Sequence, residues 1–106
     1  MRYNRTALID YCTEALMVAG ASRSEAEQTA WVLTSADERG VHSHGVMRMQ
    51  GYTVCLQSGG ISGGAEYRTV SDGASYALID AGRGLGIPVS VCAAELAIRK
   101  AKVSGV

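Results

Sequence analysis

A chain of 106 residues has room for one domain, and a domain of that size buries roughly two thirds of the surface its unfolded chain exposes. With 47% apolar and 19% charged residues it has neither the composition of a disordered tail nor that of a fibrous chain. Ten basic and ten acidic side chains cancel, which argues against the clustered positive excess that nucleic acid or an anionic membrane surface requires.

Five Tyr, one Trp and no Phe leave the core to Ala, Val, Leu and Ile. The three cysteines, Cys12, Cys55 and Cys92, are odd in number, widely spaced and without a metal-ligand partner nearby in sequence. They read as reduced thiols that pack as small buried or half-buried residues, and they place the protein in the cytoplasm. The basic start, Met-Arg-Tyr-Asn-Arg, is followed by Asp10 and Glu14 and by no apolar run long enough for a signal segment or a membrane span.

Along the chain, Leu8, Cys12, Ala15, Leu16 and Ala19 recur at helical spacing and predict a first helix over about 6–19, with Gly20 as a left-handed cap. Ser22-Arg23-Ser24-Glu25 has capping-box form and opens a second helix whose core face is Ala26, Ala30, Leu33 and Ala36, stopped by Gly40. A third helix is predicted from about Gly45 to Leu56, with Val46, Met49, Thr53 and Leu56 on one face. Two strand-like runs, 66–71 and 75–80, flank the turn signal Asp72-Gly73 and predict an antiparallel hairpin. A last helix follows Gly84-Leu85-Gly86, with Pro88 in its first turn, Val89, Ala93, Leu96 and Ala97 as its buried stripe, and Arg99, Lys100 and Lys102 near its C-terminal end. Gly105 has the position of a final cap, and Val106 reads as the start of a further strand, an ending that points to a longer protein.

The stretch richest in chemistry is Arg39-Gly40-Val41-His42-Ser43-His44-Gly45-Val46-Met47-Arg48, followed by Tyr52; it holds both histidines of the chain. If the third helix begins near His44, then His44, Arg48 and Tyr52 fall on one side of it at intervals of about one turn. An imidazole can take and give a proton near neutral pH, and a guanidinium fork matches a carboxylate. Such a pair suits a 2-oxo or 2-hydroxy acid, with Ser43 adding a hydrogen bond at the helix start. The same spacing also fits a plain exposed helix in which Ser43 is an N-cap and Arg48 and Tyr52 are solvated, and spacing alone leaves both readings open.

The residues Ala36-Asp37-Glu38-Arg39-Gly40-Val41-His42-Ser43-His44-Gly45-Val46-Met47-Arg48, with Tyr52, Leu56 and Gly59, resemble the N-terminal signature of the malate/L-lactate dehydrogenase family, and the likeness covers nearly the whole chain. The resemblance implies an oxidoreductase that moves hydride between NAD or NADP and a small 2-oxo/2-hydroxy acid such as malate or lactate, working as a cytoplasmic homodimer. By the same resemblance His44 is the proton donor or acceptor, Arg48 meets the substrate acid, and Ser43 and Tyr52 line the pocket. The family runs well beyond this length into the segments that form most of its cofactor site, so the expectation is an N-terminal portion that is inactive alone. The alternative is a stand-alone helical interaction domain derived from that family.

Two other motifs carry less. Gly82-x-Gly84-x-Gly86 places its third glycine one residue too early for the dinucleotide fingerprint, and its preceding strand reads as a hairpin arm rather than part of a βαβ unit. His42-Ser43-His44 supplies two imidazoles, whereas a structural zinc site takes four ligands. The expected architecture is α+β, with three helices, a β-hairpin and a further helix and with no metal; the resemblance implies that this is the helix-rich N-terminal part of a non-Rossmann NAD(P)-dependent dehydrogenase.

Overall fold

Asn4 opens the first helix, its side-chain oxygen accepting the Ala7 N–H at 3.0 Å, and α1 runs Arg5–Ala19. The structure is a computed structural model that describes residues 2–106. α1 ends at Gly20, whose φ of 123° lets its N–H donate to the carbonyls of Leu16 and Met17 while the Ala21 N–H also reaches Leu16. α2, Arg23–Glu38, begins with the expected capping box: Ser22 Oγ accepts the Glu25 N–H at 3.3 Å and Glu25 Oε2 accepts the Ser22 N–H at 2.8 Å. It stops as α1 does, with Gly40 at φ 76° and Val41 donating back to Ala36 at 2.9 Å.

The two helices lie antiparallel, since Arg5 at the start of α1 pairs with Glu38 at the end of α2 at 2.8 Å. Their facing stripes, Cys12, Leu16 and Ala19 against Ala26, Ala30 and Leu33, are buried, and Leu56 and Leu85 close the core. Each fully buried leucine here contributes about 1.5–3 kcal/mol.

The third helix departs from expectation. α3 spans only Met49–Gln57, and the residues before it form two separate 3₁₀ turns, His42–His44 and Val46–Arg48. Gly45 between them is extended at φ −93° and ψ −156°, which no helix accommodates. Of the face assigned to this helix Leu56 is buried, while Val46, Met49 and Thr53 are half-buried. Ser43 caps no helix by its side chain.

β1, Arg68–Asp72, and β2, Ala77–Asp80, pair antiparallel. The reversal falls on residues 73–76, where the Gly73 N–H donates to the Tyr76 carbonyl at 3.0 Å, so Asp72 belongs to the strand rather than to the turn. The register shifts between Thr69 and Ser71, leaving Val70 as the extra residue of a bulge.

α4, Gly86–Ser104, carries Pro88 in its first turn and ends at Gly105 with φ 85°, as expected. Its buried stripe does not exist as assigned: Val89 and Leu96 are half-buried, Ala93 and Ala97 are exposed, and Pro88 is the one buried residue of the helix. The helix touches α2 near its start and the hairpin farther along, and these neighbours do not cover its length. Lys100 serves the hairpin rather than its own helix end, bonding the Asp72 carboxylate and, at 2.6 Å, the Gly73 carbonyl. No helix among the described residues is long and apolar enough to cross a membrane.

Candidate functional site at the Ser43-His44 turn

The C-terminal end of α2 and the two 3₁₀ turns build this site. An acidic side chain in the last turn of a helix faces the negative end of the helix dipole, so Asp37 needs compensation. It finds two partners: Oδ2 accepts the Val46 N–H at 2.7 Å, and Oδ1 lies 2.9 Å from His42 Nδ1. The Val46 amide, then the His42 ring, hold its carboxyl below the ordinary 3.8. The carboxylate packs directly on Gly45, where an added Cβ would stand 2.1 Å from Oδ1. A side chain at 45 would therefore force the Asp37 carboxylate out of its present place.

His44 closes the first 3₁₀ turn and is exposed, with Nδ1 3.0 Å from Ser43 Oγ. A hydroxyl can donate to a bare Nδ1 or accept from a protonated one, so Ser43 fits both tautomers of the ring. Arg48 ends the second 3₁₀ turn, is exposed, and forms no ion pair among the described residues. Tyr52 lies one turn farther along α3 and is half-buried, packed against the core cluster that holds Leu16, Leu56 and Leu85. The predicted helical stripe of His44, Arg48 and Tyr52 is thus broken: the extended Gly45 detaches His44 from the helix, and the Tyr52 ring serves packing.

His42 is 74% exposed and bonded to Asp37. Among the described residues no group of three or more His, Cys, Asp or Glu could hold a metal ion. Cys12 is buried and Cys92 half-buried, but Cys55 is exposed, contrary to the packing role expected of all three.

Asp37 is the member of the site whose part the sequence reading missed. The signal was present as an acid at the unfavourable end of a helix, three residues before a glycine stop.

The glycine turn before α4 does not fit a dinucleotide phosphate. Gly82 and Arg83 have φ of 55° and 61°, the Gly82 N–H donates to Asp80 Oδ1 at 2.9 Å, and the Gly84 N–H donates to the Ala81 carbonyl at 2.8 Å. These amides are taken, and a carboxylate occupies the place an anion would need. Arg83 instead holds the 59–62 loop, and the tight packing of Gly84 on Ala65 and Tyr67 brings the strand close to the helix. A cavity of about 430 Å³ lies apart from the Ser43-His44 turn, between α2, the 64–67 loop and α4, lined by Glu25, Gln28, Tyr67, Cys92 and Glu95 among others. Burial, with Glu25 and Cys92 nearby, raises the Tyr67 phenol there.

This arrangement of helices and hairpin has close counterparts among solved structures. The structure of malate dehydrogenase from Pyrococcus horikoshii matches it with a TM-score of 0.95 at 38% identity, covering 99% of this chain and 30% of that one. In sequence, malate dehydrogenase from the same organism is 38% identical over 106 residues, all of this chain and 29% of the relative. The NAD(+) ureidoglycolate dehydrogenase of Escherichia coli is 33% identical over the same length, again all of this chain and 30% of the relative. Residues 3–106 match the malate/L-lactate dehydrogenase family, and the chain belongs to that family. It spans under a third of the length of these relatives.

Proposed function

We infer that this segment supplies the proton-transfer and acid-binding edge of an NAD- or NADP-dependent oxidoreductase acting on a small 2-oxo/2-hydroxy acid. The observation that carries the reading is Arg48: an exposed guanidinium with no carboxylate partner among the described residues, following His44 on a turn pinned by Asp37. An unpaired guanidinium offers two parallel N–H donors to a substrate carboxylate. Binding the acid there presents the adjacent carbonyl or hydroxyl carbon to the turn that holds His44.

The nicotinamide cofactor carries the hydride in this class of reaction, and no residue of this chain is assigned to it. What the chain contributes is the proton. With Nδ1 protonated and donating to Ser43 Oγ, the imidazolium form of His44 carries a second proton on Nε2 that it can give to the oxygen of a 2-oxo acid; the neutral ring left behind has a bare Nε2 that can take the proton of a 2-hydroxy acid. Tyr52, one turn beyond Arg48 on α3 and half-buried, is the residue proposed to line the pocket beside it. The fold is read as non-Rossmann because β2 pairs antiparallel with β1 and leads into α4 with no parallel strand among the described residues.

In the complete enzyme that carries this segment, His44→Ala is expected to lower kcat by about 10²–10⁴-fold, the range of general acid–base catalysis, with little change in cofactor affinity. Arg48→Lys is expected to raise KM for the acid, because a point charge replaces the fork. Turnover equal to wild type in His44→Ala removes the histidine from the reaction.

A further inference from the structure

His44 and Arg48 sit on exposed 3₁₀ turns, and such turns are short and poorly held by their own hydrogen bonds. One carboxylate fixes both. Asp37 reaches His42 at the start of the first turn through Oδ1 and the Val46 N–H at the start of the second through Oδ2. Between these contacts it packs on Gly45, so residues on both sides of Ser43-His44 are tied to the rigid end of α2. The backbone of the turn closes on the same frame: the His44 N–H donates to Val41 and the Gly45 N–H to His42, each at 3.0 Å.

We propose that Asp37 is the positioning residue of this site, a group that touches no substrate and sets where His44 and Arg48 stand relative to each other. The inference rests on the functional reading above for what those two residues do. It requires both features seen at once: a carboxylate able to accept from Val46 and His42, and a glycine at 45 that leaves room for it. The two residues are thereby coupled. A side chain at 45 displaces the carboxylate, whose atoms are the three nearest to a Cβ built there.

The test uses this ¹⁵N-labelled chain with Asp37→Asn, Asp37→Ala, Gly45→Ala and the double variant Asp37→Ala/Gly45→Ala. Long-range ¹H–¹⁵N spectra report the ring nitrogens of His44, and titration with oxamate, a stable mimic of a 2-oxo acid, reports the acid site. Asp37→Ala is expected to move the His44 ring signals and the amides of residues 42–46, to leave the amides of Leu16 and Ala30 in place, and to weaken oxamate about tenfold or more, as misplacement of reacting groups does. Asp37→Asn keeps an oxygen for the Val46 N–H and is expected to recover most of the affinity. Gly45→Ala is expected to reproduce the Asp37→Ala spectrum and to add nothing in the double variant. His44 ring signals that stay at their wild-type positions in Asp37→Ala overturn the proposal, as does a spectral change that spreads through α1 and α2, since that is loss of fold. If oxamate fails to bind the wild-type chain, the functional reading loses its support, and the His44 ring signals and the Gly45 coupling still decide the role of Asp37.

Discussion

Glu25 offers the sharpest stability measurement in this fold. Its Oε2 accepts two backbone N–H groups, Ser22 at 2.8 Å and Gly64 at 2.8 Å, so one oxygen both caps α2 and holds a loop 39 residues away. The side chain is buried at 7% relative exposure. Glu25→Ala orphans both donors, at about 1–3 kcal/mol for each buried group left unpaired; both residues reach solvent at their surface, so the lower half of that range applies, about 3 kcal/mol in all. Glu25→Gln keeps an oxygen with two lone pairs at the same place and loses only the charge, about 1 kcal/mol. Urea unfolding followed by far-ultraviolet circular dichroism resolves the two. With a slope near about 1.5 kcal/mol per molar, Glu25→Ala lowers the midpoint by about 2 M and Glu25→Gln by less than about 1 M. Coincident midpoints for the two variants would refute the reasoning, because the shared oxygen would then carry no special weight.

Two further expectations follow from the titratable groups. Asp37 is held below its ordinary 3.8 by the Val46 N–H and then by His42, so its contribution to stability is full above about pH 4 and is lost as pH falls through the lowered value; thermal midpoints of wild type and Asp37→Asn should therefore converge in acid, and a gap that persists at the lowest pH where the chain folds contradicts this. The Cys12 thiol is raised by burial first and by the Asp37 charge second, whereas Cys55 is exposed, so an aromatic disulfide reagent should label Cys55 first and reach Cys12 only on unfolding, as read by mass spectrometry of the labelled peptides.

The first two helices were legible because their signals are local. Apolar spacing, a capping box and two glycine stops each act within a few residues, and the structure keeps every one of them. The third helix was misread because its start is decided by a side chain from another element: nothing in the periodicity of 45–56 reveals that Asp37 takes the Val46 N–H and forces Gly45 to extend. The site residues were readable as types, since imidazole and guanidinium announce their chemistry, but their placement on one helical face was not. The stripe of α4 failed for a different reason. Helical spacing shows which residues share a face and says nothing of whether a neighbour covers it, so Ala93 and Ala97 lie open on a correctly placed helix. The hairpin was found by its strand propensities, while its reversal moved onto residues 73–76 because Lys100, contributed by α4, grips Asp72 and the Gly73 carbonyl.

The displaced register of that hairpin guards against misassembly. A two-stranded sheet has an open edge on each side, and an open edge invites the backbone of another molecule to add itself as a further strand. Here the ladder is interrupted at Val70, so a straight incoming strand cannot keep its hydrogen bonds in step along β1. Arg68 and Asp80, joined at 3.3 Å across the far end, put charge on the outermost of the regular pairs. One irregular residue and one exposed ion pair thus work against strand addition along the sheet's edges.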